Sequence, residues 1–337
     1  MFLLIPSIFA FFLVFLTADK KNNNNYLFYS LAFVTALVSS LRVNVGRDYP
    51  IYESFFRGDL PVSGVDFSFI LFSQGISILD PSGRLGFIIT SFVIVFGYAI
   101  FFSKFNNQNR FLCFFLFLTI PIYFISSLNL IRQHLAISIV LMSLVFLFQN
   151  KVFRTFIFFV VGALLHRATL IYLILFSTNK SLERTLISIL PLAIILVISI
   201  IFIYEGAIAT ILSYDYFAQH QSENSPYLLL FLAFACLFVS ILIFFGKNID
   251  HRNLIYWTNF FIFILLVVWY FSEFSNFWLR AAQFFFPFFI IGSVSVISLL
   301  APVIIRYVVI FFMATILLTY NVLKYFQDPS YGFFTTL

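Results

Sequence analysis

Uncharged apolar runs of span length recur along the whole chain, as at 85–103, 111–128, 226–245 and 281–299. Each is about as long as the roughly 20 helical residues that cross some 30 Å of hydrocarbon. In lipid every backbone donor and acceptor must be satisfied internally, so runs of this kind are read as transmembrane helices. The composition agrees: 62% of the 337 residues are hydrophobic, 53 are Phe, and 9% are charged, against about 25% in a soluble domain. The fold class is therefore an all-α integral membrane protein, a polytopic helical bundle of about 10 to 12 transmembrane helices. Residues 1–337 are read as a single transmembrane domain, since no stretch between the runs is long enough for a separate soluble one.

The segments fall near 1–16, 26–41, 85–103, 111–128, 132–148, 155–165, 168–178, 185–203, 226–245, 254–272, 281–299 and 303–321. The first is expected to be a span and not a secretory signal, because it lacks a basic flank and a small-residue cleavage site. Cys113 and Cys236 lie inside apolar runs and read as small buried hydrophobes, with no disulfide or metal role. The stretch 155–178 decides the topology. As one helix it carries His166 and Arg167 to mid-membrane; as a broken helix pair it returns to the side it came from, with His166 and Arg167 in the turn. Lys and Arg accumulate on the cytoplasmic side, and the broken form places 11 of the 19 basic residues there, against 8 for the unbroken form. The break is preferred. It leaves two outer loops, at about 42–84 and 204–225, and within the first of them 66–79 reads as a short helix lying at the interface.

On this topology four features open to the outer side. They are Arg42 with the following Gly46-Arg47-Asp48-Tyr49-Pro50-Ile51-Tyr52, then Arg132-Gln133 at the start of a span, then His166-Arg167, and then Arg280 with Gln283 one turn on. Singly, each has an ordinary reading: an Arg at a helix end snorkels to headgroups, and a His is satisfied by a backbone carbonyl. Together they collect guanidiniums, an imidazole and a carboxylate in the outer half of a membrane, where ionisable groups are costly and mark function. Guanidiniums suit phosphate because the planar fork donates paired hydrogen bonds and keeps its charge when partly desolvated. The phosphates available there are lipid headgroups and polyprenyl diphosphates. An imidazole adds a group that accepts a proton near neutral pH. These are the parts for glycosyl transfer from a lipid-linked donor.

Arg42 with Val45-Gly46-Arg47-Asp48-Tyr49 and Tyr52, Ile131-Arg132-Gln133 with Ala136-Ile137-Ser138, and His166-Arg167-Ala168 with Ile171 resemble the EpsG family, which belongs with the Wzy-like polysaccharide polymerases. The resemblance spans roughly residues 40 to 175. It departs in the turn, where the family has His-Lys-Ser or His-Tyr-Ser, and in the first loop, where Gly-Thr-Asp is replaced by Gly46-Arg47-Asp48.

The resemblance implies a membrane glycosyltransferase that joins oligosaccharide repeat units carried on undecaprenyl diphosphate, as both donor and acceptor, into an O-antigen, capsule or exopolysaccharide. It implies a multi-pass protein of the bacterial cytoplasmic (inner) membrane, with its active site facing the periplasm or exterior. Arg42, Arg132 and Arg280 are the candidates for neutralising the departing diphosphate, and His166 for orienting or deprotonating the acceptor hydroxyl. Asp48, Tyr49, Tyr52, Gln133, Arg47 and Arg167 are the candidates for holding substrate. No cofactor and no metal are expected, because guanidiniums stand in as the electrophile. The lipid bilayer and a chain-length regulator protein are the further partners considered, and nucleic acid is not one. An O-antigen ligase usually carries its large outer loop late in the chain, whereas here the early loop is longer. A lipid-linked oligosaccharide flippase should carry charge at mid-depth along several helices, and these spans hold it at their ends. If the turn at His166 opens outward, a cysteine placed at 166 will react with an impermeant thiol reagent in intact cells; labelling only after the membrane is opened would refute the broken topology.

Overall fold

The structure is a computed structural model that describes residues 25–46, 48–59, 66–105, 109–119, 124–172, 226–245, 252–271 and 275–300. Among these residues there are helices and connecting turns, and no strand. The helices are α1 (Asn25–Ser40), α2 (Tyr49–Arg57), α3 (Phe67–Leu79), α4 (Arg84–Phe105), α5 (Arg110–Thr119), α6 (Phe124–Asn129), α7 (Ile131–Phe148) and α8 (Val152–Leu165). A 3-10 helix, Arg167–Tyr172, follows, and later α9 (Pro226–Phe245), α10 (Arg252–Phe271) and α11 (Ser275–Leu300). Two of the described helices, α4 and α7, are long and apolar enough to cross a membrane by length and composition. The chain falls into two compact units, one holding α1 to α8 and the other holding α9, α10 and most of α11.

Close backbone approach organises the first unit around α7. A Cβ on Gly97 of α4 would lie 2.6 Å from the Ser138 Cβ and 2.9 Å from the Ser138 carbonyl oxygen. On another side, a Cβ on Gly162 of α8 would lie 2.5 Å from Val140 Cγ2 and 3.2 Å from the Ala136 carbonyl. Lipid tails are as apolar as Leu, so helix association in a bilayer relies on this kind of contact between small residues. Serine hydroxyls add polar ties, as where Ser143 of α7 donates to the Thr155 carbonyl of α8 at 2.7 Å. Aromatic rings fill the remaining space: Tyr29 stacks on Phe96, Phe28 meets Phe111 and Phe114 edge-on, and Tyr98 stacks on Phe117 at 4.5 Å. His134, fully buried in α7, is bonded on both ring nitrogens, to the Tyr98 hydroxyl at 2.9 Å and the Ser126 hydroxyl at 3.2 Å. Cys113 and Cys236 are buried and free.

The two short helices of the first loop are built by local chemistry. Pro50 lies in the first turn of α2, where a missing N–H costs nothing, and Gly58 ends the helix at φ 83°, in the left-handed region that favours glycine. Phe56 of α2 packs onto Gly86 so tightly that a Cβ there would fall 2.3 Å from the ring. At the start of α4, the Asp80 carboxylate accepts from the Ser82 hydroxyl and the Leu85 N–H. These bonds, that of Ser82 first, hold its carboxyl below the usual range.

In the second unit, a Cβ on Gly292 of α11 would meet Asn259 Nδ2 of α10 at 2.9 Å. That amide donates to the Ile255 carbonyl at 2.7 Å and toward the Phe288 carbonyl at 3.4 Å. Pro287, inside α11, lacks the N–H for one helical bond, and the Tyr172 hydroxyl donates to the adjacent Phe284 carbonyl.

The boundaries correct the sequence reading in three places. The described part of the segment at 111–128 forms two helices, α5 and α6, and residues 120–123 between them lie outside the described residues. The first loop holds α2 as well as the expected α3. The segment at 168–178 begins as the 3-10 helix Arg167–Tyr172, and its remainder lies outside the described residues. The segments at 1–16, 185–203 and 303–321 and the loop at 204–225 also lie outside them. Gly97→Ala places a methyl against the Ser138 backbone and is expected to cost about 1 to 3 kcal/mol. Gly75→Ala, on α3 with nothing within 4 Å of the new Cβ, is expected to gain up to about 1 kcal/mol from helix propensity. Thermal unfolding of the two variants in the same detergent checks the opposite signs.

Candidate functional site

Helix α8 stops at Leu165, and His166 is extended, with φ −156° and ψ 105°. The last carbonyls of a helix need outside partners. Ser68 of α3 supplies one, donating to the Leu164 carbonyl, and Thr169 supplies another, its N–H and hydroxyl both donating to the His166 carbonyl, at 3.0 and 2.8 Å. The Ser68 bond draws the N-terminal end of α3 onto the C-terminal end of α8. Asp66, two residues before Ser68, thereby comes to the extended residue.

Three side chains meet the Asp66 carboxylate. His166 Nδ1 lies 3.3 Å from Oδ2, Arg132 Nη1 lies 3.7 Å from the same oxygen, and Arg167 Nε lies 3.9 Å from Oδ1. The imidazole contact is within hydrogen-bond range, while the two guanidinium contacts are ion pairs longer than a hydrogen bond. The four side chains are partly covered, 16% exposed for Asp66, 19% for His166, 25% for Arg132 and 46% for Arg167. Among the described residues, one carboxylate set against two guanidiniums leaves the cluster net positive.

A second polar layer joins this cluster through α2. The N–H of Arg132, in the first turn of α7, donates to the Tyr52 hydroxyl at 3.3 Å. One turn back on α2, the Tyr49 hydroxyl accepts from Arg84 Nη1 at 3.4 Å, and the same nitrogen donates to the Arg42 carbonyl at 3.0 Å. Tyr49 is fully buried and stacks on Phe87 at 4.7 Å; burial is the main cause that raises its hydroxyl above the ordinary value. Arg42 is buried too, bonded through Nη1 to the Ser39 carbonyl at 3.1 Å and the Ser91 hydroxyl at 3.5 Å, with its guanidinium 5.3 Å from the Phe87 ring centre. Burial lowers Arg42 to about 10, which leaves it charged at neutral pH, and its Nε has no hydrogen-bond partner among the described residues. The loop between α1 and α2 is held against α6 by Gly46, at φ 104°, where a Cβ would fall 2.3 Å from Asn129 Oδ1.

All of these groups lie at one end of the first unit. At the other end, Arg110 bonds Asn25 and covers Phe28, and the α4, α5 and α8 termini there carry Lys104, Arg110, Lys151 and Arg154. The site end thus gathers Arg42, Tyr49, Tyr52, Arg132, His166 and Arg167. Asp48, half-buried, opens α2 without a side-chain cap bond, and Gln133 is turned to the buried side of α7. Arg47 lies outside the described residues. Arg280 belongs to α11 in the second unit, and its side chain is outside the described residues, while Gln283 is buried there. Among the described residues no group of three or more His, Cys, Asp and Glu side chains converges as a metal site would require.

Sequence reasoning left Asp66 out of the site, taking it only as the start of an interfacial helix. The signal available was electrostatic: Arg132, His166 and Arg167 in one place call for a carboxylate, and Asp66 is the acid that opens the apolar stretch of the same outer loop.

The chain is thus a helical, apolar protein that gathers arginines, a histidine and a carboxylate at one end of its first unit. The model of the EpsG family matches residues 25–335, and the chain belongs to that family, one of the Wzy-like polysaccharide polymerases. Neither a curated protein nor a solved structure matches it significantly. Tyr52→Phe keeps the ring contacts to Phe56 and Phe69 and removes the acceptor of the Arg132 N–H. The expected loss is about 0.5 to 1.5 kcal/mol of stability, read as a lowered Tm in detergent.

Proposed function

We propose that this polymerase joins oligosaccharide repeat units carried on undecaprenyl diphosphate, at the outer face of the bacterial cytoplasmic membrane. The observation that carries the reading is the pairing of Arg132 and His166 through one carboxylate, that of Asp66. The orientation is supported by the distribution of basic residues. The end opposite the site carries Lys104, Arg110, Lys151 and Arg154, on the side to which the broken topology assigns 11 of the 19 basic residues, and by the cytoplasmic bias of Lys and Arg the site end then faces outward.

In this reaction the acceptor is a sugar hydroxyl on the incoming lipid-linked unit, and the donor is the growing chain on its own lipid diphosphate. The hydroxyl oxygen attacks the anomeric carbon of the donor and forms the glycosidic bond. The bond from that carbon to the diphosphate oxygen breaks, and its electron pair leaves with undecaprenyl diphosphate. The hydroxyl proton passes to His166 Nε2, since Nδ1 faces Asp66. Arg132 meets the charge that grows on the departing diphosphate, and a fixed guanidinium serves better there than water because it needs no reorganisation. Arg42 and Arg280 are the further candidates for that role, with Arg167 and Arg47 for binding the substrate anion. Asp48 completes the proposed substrate-binding set, and Tyr49, Tyr52 and Gln133, which are buried, support it from behind, Tyr52 by holding the first turn of α7.

Lys at 132 keeps the charge and loses the planar paired donor. Arg132→Lys is therefore expected to lose polymerisation nearly as fully as Arg132→Ala, by about 10²- to 10³-fold in rate, with both proteins inserted at normal abundance. Polymer length on a gel, measured beside membrane abundance, is the check. Normal polymer from Arg132→Lys would make Arg132 a headgroup anchor.

A further inference from the structure

We propose that Asp66 is the positioning residue of this site, its carboxylate fixing the proton of His166 on Nδ1 so that Nε2 presents its lone pair to the acceptor hydroxyl. The inference deepens the function proposed above and rests on its use of His166 as the base. Asp66 occupies the N-cap position of α3, a place where Asp ordinarily bonds the N–H groups of its own helix. Here it makes no side-chain cap bond. Its carboxylate is turned instead to His166, Arg132 and Arg167, with Oδ2 3.3 Å from Nδ1.

The backbone is arranged to hold that geometry. The Ser68 hydroxyl, two residues on, is bonded to the Leu164 carbonyl, two residues before His166, so donor and acceptor are tied together on the same two chain ends. The His166 N–H is bonded back to the Gly162 carbonyl at 3.0 Å, and its carbonyl is taken by Thr169. With the backbone of His166 fixed on both sides, the ring nitrogen that meets Oδ2 is Nδ1. A neutral imidazole in water favours its proton on Nε2, which would leave no lone pair there for the acceptor. An oriented carboxylate reverses that preference, since Nδ1 can donate to it only when it carries the proton. Arg132 and Arg167 face the same carboxylate from two further sides and restrict its rotation.

The test reads the ring directly. Purified full-length protein in lipid nanodiscs, labelled with ¹⁵N-histidine, is examined above the titration range of the imidazole, and the His166 signal is assigned by its loss in His166→Gln. Wild type and Asp66→Glu are expected to carry the proton on Nδ1, and Asp66→Ala on Nε2. Asparagine is not diagnostic, because it keeps an acceptor oxygen. In cells, Asp66→Ala is expected to lower polymerisation by about 100-fold or more at normal membrane abundance. Asp66→Glu should recover much of it, an outcome that also excludes misfolding as the cause. An Nε2 proton in wild type, an unchanged tautomer in Asp66→Ala, or normal polymer from Asp66→Ala overturns the inference. If His166→Gln itself polymerises normally while the tautomers behave as expected, the base role fails and the hold of Asp66 on Nδ1 stands.

Discussion

The backbone of α7 is approached from two sides at a distance only glycine permits, by Gly97 from α4 and by Gly162 from α8. That contact sets more than stability. Helices α7 and α8 are consecutive and run antiparallel, and Gly162 lies against Ala136. One helical turn further along each chain, in opposite sequence directions, are His166 and Arg132. The register of one glycine thus brings the imidazole and the guanidinium level, before any attraction between charged groups is considered. Helices in lipid gain little from burying apolar area against one another. A register fixed by close packing is therefore what allows a site to be assembled from the ends of separate helices.

Among the described residues the charges gathered there are out of balance. A buried charge without a partner is expensive, and a membrane chain with few acids could have omitted the arginines or matched them one to one. Instead Asp66 serves two guanidiniums and an imidazole, through ion pairs of 3.7 and 3.9 Å that are longer than a hydrogen bond. Arg42 is buried over Phe87 with one donor nitrogen unmet. A cation excess of this kind among the described residues is what the diphosphate-binding role proposed above calls for. The bonds from Arg84 to Tyr49 and Arg42, and from Arg132 to Tyr52, connect both regions through α2.

Much of this was readable in the chain. Helices α1, α4, α7 and α9 follow their uncharged runs to within a residue or two, because a span has nowhere to place a charge except at its ends. The end of α8 was readable as well, from His166-Arg167 in an otherwise apolar stretch and from the basic-residue balance it implied. What was not readable has one cause, tertiary choice among locally plausible alternatives. The α2 sequence, Tyr49–Arg57, reads as a loop until Phe56 is set against Gly86. Asp66 reads as the start of an interfacial helix until Ser68 ties that start to the end of α8. Gln133 adjoins Arg132 in sequence, yet the helix turns it to the buried side, and only the placement of α7 between its neighbours determines which of the two faces the site.

The location of charge along α4 and α7 bears on what kind of protein works this way. Among the described residues α4 carries cations only near its two ends, Arg84 and Lys104, α7 carries Arg132 at its start, and His134, two residues on, is bonded to Tyr98 and Ser126. A path that carried a charged lipid headgroup through the bundle would need partners spaced along its depth, since each step without one would repeat the cost of desolvation. A site confined to one end needs only to meet a substrate already delivered to that face. The glycosyl transfer proposed above has that requirement, because both lipid-linked partners keep their chains in the bilayer while their sugars and diphosphates lie at the bundle end where Arg132, His166 and Asp66 converge.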